Sequence, residues 1–198
     1  MKVVGLTGNS GSGKSYVANI FAEEDAYIID ADKIGHKILE KNSLPYKEVI
    51  EFFGVEILDA DKNINRKALG KIVFSNKEKL QKLNSITHKH IIKTIMHKID
   101  KAKASGNKIS IIDAALLIEV NLHKVCDKVV IVHADKNIRI KRIMERDHIS
   151  EQDAFNRINN QSPFEDLEKY ADIVILNNKN DNSLREDVKN IARACIHE

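Results

Sequence analysis

The chain has 198 residues, 42% of them apolar and 31% charged, with a formal net charge of +3. A length of this order makes one domain with room for an insertion, and it buries about 70% of its unfolded surface, so neither disulfides nor a structural metal are needed to hold a core. The composition excludes general disorder, and no apolar run approaches the ~18 residues of a membrane span. The opening Met1-Lys2-Val3-Val4-Gly5-Leu6-Thr7-Gly8 enters a strand pattern at once, with no signal-peptide segment. Cys126 and Cys195 have no metal-ligand spacing. A soluble, reduced, cytoplasmic chain without a membrane partner is expected.

Taken in chain order, residues 2–6 predict a strand, followed by a glycine-rich turn and a helix over about residues 13–24. A second strand at residues 27–29 runs into Asp30 and Asp32. Helical pattern then dominates, at residues 34–40, 46–53, 66–74 and 79–104. In the last of these Leu80, Leu83, Thr87, Ile91, Ile95 and Ile99 recur at helical spacing and predict a buried stripe. Strands return at residues 109–112 and 128–132, helices at 135–147 and from Ser150, whose spacing to Asp153 has the form of a capping box. A strand at residues 173–176 and a helix at 183–197 close the chain. The alternation predicts a five-stranded parallel α/β sheet covered on both faces, with residues 34–105 as a helical insertion.

The charge is unevenly spread. Residues 61–108 hold thirteen basic and three acidic side chains, a local +10. Such asymmetry favours an anionic partner near that segment, although a solvated helix face has the same composition.

Gly8-Asn9-Ser10-Gly11-Ser12-Gly13-Lys14-Ser15 fits the phosphate-loop pattern G-x-x-x-x-G-K-[ST] and lies between a strand and a helix. Gly8, Gly11 and Gly13 let the backbone wrap a phosphate with its N–H groups inward, and the helix N-terminus adds positive potential. Lys14 is expected to reach the β- and γ-phosphates and Ser15 to ligate Mg²⁺. Asn178-Lys179-Asn180-Asp181 also matches the guanine-reading pattern N-K-x-D. However, Asp113-Ala114-Ala115-Leu116 lacks the glycine of D-x-x-G, and only seventeen residues follow Asp181. A GTPase is therefore a minor alternative.

The sequence resembles the dephospho-CoA kinase family. The matching segments are residues 5–15, Ile29-Asp30-Ala31-Asp32, Arg66-Lys67-Ala68-Leu69-Gly70-Lys71-Ile72-Val73-Phe74, Asp113 with Leu116-Leu117-Ile118-Glu119, and the stretches 139–147, 150–161 and 171–177. Departures fall at Asn9-Ser10, Tyr16, Lys89 and Ala115, and none removes a group that would touch phosphate or Mg²⁺. The resemblance implies a P-loop NTPase fold, with ATP and Mg²⁺ as cofactors and the small molecule dephospho-CoA as acceptor.

It also implies roles. Asp32 corresponds to the family's proposed base, although an aspartate there also suits a helix N-cap. Gly8, Gly11, Ser12, Gly13, Lys14, Ser15, Tyr16 and Arg146 are expected to bind the nucleotide, and Asp32, Arg66, His88, Asp113, Leu117 and Glu119 the acceptor. Arg139, Arg142 and Arg146 share one helix face by spacing, as the arginines of a lid over residues 139–161 would. The resemblance singles out Arg142, as catalytic, and Arg146. The competing reading of these arginines is surface ion pairing, stronger for Arg139. Asp113 could hold Mg²⁺ through water or cap a strand end, and His88 and Glu119 could equally be structural. His97, His123 and His133 have no metal-ligand spacing. Other P-loop kinases of nucleosides, nucleotides or sugars, or a nucleotide switch, are the alternatives. Scarce aromatics in the basic segment argue against a nucleic-acid partner, and nothing in the sequence specifies an oligomer.

Overall fold

The structure, a computed structural model, describes residues 1–179 and 182–197. Asn180 and Asp181 of the N-K-x-D match lie outside the described residues. Two compact units divide the chain, Met1–Asp30 with Lys98–Glu198, and Ala31–His97.

The first unit is built on five parallel strands in the order β2-β3-β1-β4-β5, namely β1 Lys2–Thr7, β2 Tyr27–Asp30, β3 Ile109–Asp113, β4 Lys128–His133 and β5 Ile173–Leu176. The three inner strands are near-continuous buried runs, whereas β2 and β5 at the edges bury one position in four. That is the pattern of a sheet covered on both faces. Along β1 the side chains alternate between faces. Val4 and Leu6 join a core with Val17, Ile20 and Phe21 of helix α1 (Lys14–Glu23). Leu184, Val188, Ala192 and Cys195 of the terminal helix, Asn182–His197, complete that layer as a one-sided apolar stripe. Gly5 faces the opposite way, where a Cβ would come within 2.6 Å of Leu117 Cδ2 and 2.9 Å of Cys126 Sγ.

The second unit is helical. It holds α2 (Ala31–Lys37), α3 (Leu44–Phe53), α4 (Arg66–Phe74) and the greater part of α5 (Lys77–Ala104). Ser43 caps α3 through the Tyr46 N–H at 3.1 Å, and Asn65 caps α4 through the N–H groups of Lys67 and Ala68. Val49, Phe53, Ile57, Leu69, Val73 and Ile86 form its core. On α5 the expected stripe is uneven, since Leu80, Leu83, Thr87 and Ile91 are half-buried, Ile95 and Ile99 are buried, and Ile86 and His90 are buried beside them. Positions four apart drift around a helix of 3.6 residues per turn, so the buried face passes to neighbouring rows.

Two boundaries differ from expectation. Helix α2 begins at Ala31 rather than near residue 34, which puts Asp32 inside its first turn and not at its N-cap. The compact helical unit ends at His97 although α5 runs on to Ala104. After β4, α6 (Lys136–Asp147) and α7 (Glu151–Asn159) form a hairpin that turns at His148, φ 53°. Ile140, Ile143, Ala154 and Ile158 pack between its arms, and Ser150 caps α7 through the Asp153 N–H at 3.1 Å. A short helix α8 (Phe164–Glu168), too brief to leave a periodic signal, precedes β5, and Asn182–His197 is α9.

Candidate active site

Strand order puts the C-terminal end of β1 between those of β3 and β4, where an open α/β sheet makes a crevice. Leu6 is register partner of Asp113, and Asp113 of Asp30. The loop after β1 turns through Gly11 at φ 79° and Gly13 at φ 91°, left-handed conformations that glycine adopts without strain. A Cβ on Gly13 would collide with the side-chain amide of Asn177. Gly13 is the N-cap of α1 with no side-chain cap, and no acid stands in the helix's own first turn.

The loop is held by side chains on both flanks. Lys14 bonds through Nζ to the carboxylate of Asp113, each side chain 14% exposed. Arg142 donates to the carbonyls of Gly11, Ser12 and Asn177 at 3.3, 3.4 and 3.0 Å, and Asn177 Nδ2 donates to the Ser12 carbonyl at 2.8 Å. Arg139 donates to the Ser10 carbonyl at 3.0 Å and to Gln161 Oε1 at 3.2 Å. Gln161 in turn accepts from the Ser10 N–H at 3.0 Å and donates to Ser10 Oγ at 3.2 Å. Asn9 Nδ2 donates to the Ser162 carbonyl at 3.1 Å. Burial pulls the guanidinium pKa values of Arg139 and Arg142 below their ordinary range.

The expected site residues fall into distinct places. Gly8, Gly11, Ser12, Gly13, Lys14 and Ser15 line the loop and the start of α1, with Ser15 exposed, whereas Tyr16 packs half-buried against the main core. Arg146 is bonded to its neighbour Asp147, at 2.8 Å through both Nε and Nη2. Arg139 is no surface ion pair, being 6% exposed and bonded to the loop. Leu117 is fully buried over Gly5. Glu119 is exposed and accepts from Ser162 Oγ at 3.3 Å.

In the helical unit, Asp32 is exposed. Arg66 donates to the backbone carbonyl of His36, one turn further along the same face of α2. His88 is half-buried, and desolvation lowers its pKa. Asn177 and Gln161 end two of the matching segments, but nothing in the sequence assigned either a role at the loop. Asn177 ends the apolar run of β5, and a polar residue at a strand end reads as ordinary loop.

One observation fits a bound polyphosphate: the Ser12 hydroxyl, inside the loop, is buried with no hydrogen-bond partner among the described residues. For Mg²⁺, no group of three or more His, Cys, Asp or Glu gathers as ligands among the described residues. The Ser15 hydroxyl and the Asp113 carboxylate at the loop are oxygen donors of the kind Mg²⁺ takes beside phosphate.

Sheet order, phosphate loop and helical hairpin together define a P-loop kinase fold. The family model described as dephospho-CoA kinase matches residues 2–184. Dephospho-CoA kinases from Aquifex aeolicus and Fusobacterium nucleatum are 42% and 43% identical to it, each over 98% of this chain and 95% and 96% of theirs. A dephospho-CoA kinase structure from Campylobacter jejuni superposes with TM-score 0.72 at 29% identity, over 98% of this chain and 97% of that one. A shikimate kinase from Acinetobacter baumannii, with TM-score 0.53 and 14% identity over 100% of this chain and 94% of that one, shares the fold. The chain belongs to the dephospho-CoA kinase family. It is a phosphotransferase of CoA biosynthesis.

Proposed function

We propose that this chain transfers the γ-phosphoryl of ATP to the ribose 3′-hydroxyl of dephospho-CoA, using Mg²⁺. The observation that carries the reading is the loop of residues 8–15 opening onto Lys14 and Asp113 at the C-terminal edge of the sheet, in a chain of this family. Phosphoryl transfer asks little covalent help of a protein; it asks for positioning and for charge set against the phosphate oxygens. The N–H groups of the loop and the start of α1 supply donors, and Lys14 supplies the cation. Ser15 and Asp113 would be the oxygen donors for Mg²⁺, which would supply positive charge against the phosphates.

Asp32 orients the acceptor hydroxyl and accepts its proton. It is an exposed carboxylate in the first turn of α2. Arg66, tied to α2 through His36, sets positive charge on the same side, suited to the acceptor's diphosphate. His88 and Glu119 are further acceptor contacts, and Arg146 reaches nucleotide by exchanging its bond to Asp147. Arg142 adds charge beside the loop. Neither cysteine is in a disulfide, and the proposed location is a reducing cytoplasm. Among the described residues no helix is long and apolar enough to cross a membrane.

ADP release measured with dephospho-CoA and with a panel of nucleosides, nucleotides and sugars tests the proposal. Rapid ADP formation is expected with dephospho-CoA alone. Equal rates without any acceptor, or a faster rate with a sugar or nucleoside, would reject it.

A further inference from the structure

Three consecutive carbonyls of the phosphate loop are gripped from outside the loop. Ser10 O is held by Arg139 Nε, Gly11 O by Arg142, and Ser12 O by Arg142 together with Asn177 Nδ2. In a trans peptide unit the C=O and the following N–H point to opposite sides of one rigid plane, and no cis bond occurs among the described residues. Turning the Ser10 carbonyl toward α6 therefore turns the Gly11 N–H away from α6. Turning the Ser12 carbonyl toward Asn177 does the same for the Gly13 N–H. The intervening Ser12 N–H is used inside the loop, on Asn9 O at 3.0 Å.

The loop cannot set these planes unaided. Glycine populates both signs of φ with little energetic preference, so peptide units next to Gly11 and Gly13 are free to rotate unless something holds them. The holding groups are well buried, Asn177 at 0% and Arg139 at 6% exposure, and Gln161 braces Arg139 and Ser10 together. They also stand so close that glycine is obligatory. A Cβ on Gly13 would strike the Asn177 amide, and one on Gly11 would lie 2.7 Å from the Arg139 carbonyl.

We propose that Asn177 and Arg139 are positioning residues that clamp the loop carbonyls outward, so that the Gly11 and Gly13 N–H groups face the phosphates. The anion cradle is then built by side chains from α6 and from the end of β5. This rests on the reading of residues 8–15 as the phosphate site, and the test separates the two.

The probe is inorganic tripolyphosphate, titrated calorimetrically into the wild type, Asn177→Ala and Arg139→Lys well below their melting temperatures. Both substitutions preserve charge, so a change reports geometry rather than net potential. Tripolyphosphate affinity is expected to fall roughly tenfold in each, about one hydrogen bond's worth, with KM for ATP rising by a similar factor and KM for dephospho-CoA unmoved. Should Asn177→Ala fail to fold, Arg139→Lys carries the test. Unchanged tripolyphosphate affinity with a lowered melting temperature would reduce both residues to structural supports and overturn the clamp. Equal rises in both KM values would overturn it too, as general loosening. A wild type that does not bind tripolyphosphate would overturn the phosphate-loop reading itself, and the clamp with it.

Discussion

The ammonium of Lys14 is bonded to the carboxylate of Asp113, joining the start of α1 to the end of β3. With each side chain 14% exposed, this is a mostly buried pair and not a surface lysine waiting for a ligand. Removing one partner leaves the other charge poorly solvated, whereas removing both does not. Lys14→Ala should therefore lower kcat by roughly 10² to 10³ and also lower the melting temperature. The double variant Lys14→Ala/Asp113→Ala should recover the melting temperature but not the turnover. Recovery of turnover in the double variant would show that Lys14 serves only to neutralise Asp113.

Gly13 tests how tightly the loop is enclosed. Alanine there must adopt φ near 91°, at a cost of roughly 1–2 kcal/mol, and its Cβ must displace the Asn177 amide. Gly13→Ala should lose stability by at least that amount in urea unfolding, together with most of its ATP binding. An unperturbed midpoint would mean that the loop and Asn177 separate freely.

Asp32 lies within the first turn of α2, where a carboxylate interacts favourably with the helix N-terminus by about 0.3–1 kcal/mol. Asp32→Asn keeps the shape and removes the base, so kcat should fall by roughly 10² to 10⁴, with ATP affinity unchanged and a melting temperature within a few degrees of wild type. Wild-type kcat would remove Asp32 from the reacting centre.

The α6–α7 hairpin carries an acid-sensitive joint. Hydrogen bonds from Arg146, and then from Arg157, hold the Asp147 carboxyl down at about 2, below its ordinary 3.8. A depressed carboxylate pKa stabilises the folded state above the unfolded pKa, and that contribution is lost as pH falls through the folded one. The melting-temperature advantage of wild type over Asp147→Asn should therefore be level above about pH 5 and shrink steadily between about pH 4 and pH 2. An advantage that stayed constant down to pH 2.5 would place its origin elsewhere than in these ion pairs.

Much of this was legible in the sequence because it is local. The phosphate loop is eight contiguous residues whose glycines, lysine and serine each have a backbone or charge reason to be there, and the strand before and helix after it show as short-range periodicity. All five strands and the principal helices follow from the same kind of pattern, and so does the Ser150 cap. What surrounds the loop is not local. Lys14 meets Asp113 across 99 positions, Arg139 meets Ser10 across 129, and Asn177 meets Ser12 across 165. Those meetings depend on the strand order, which brings the ends of β1, β3, β4 and β5 to one edge of the sheet. No window of a few turns records that order. Side-chain direction at strand ends was equally hidden. Helical spacing put Arg139, Arg142 and Arg146 on one face of α6, but only the packing of that face decided that the first two grip the loop while the third turns to Asp147. A guanidinium goes where its donors find acceptors that water cannot reach, and it is the tertiary fold that sets carbonyls in such places.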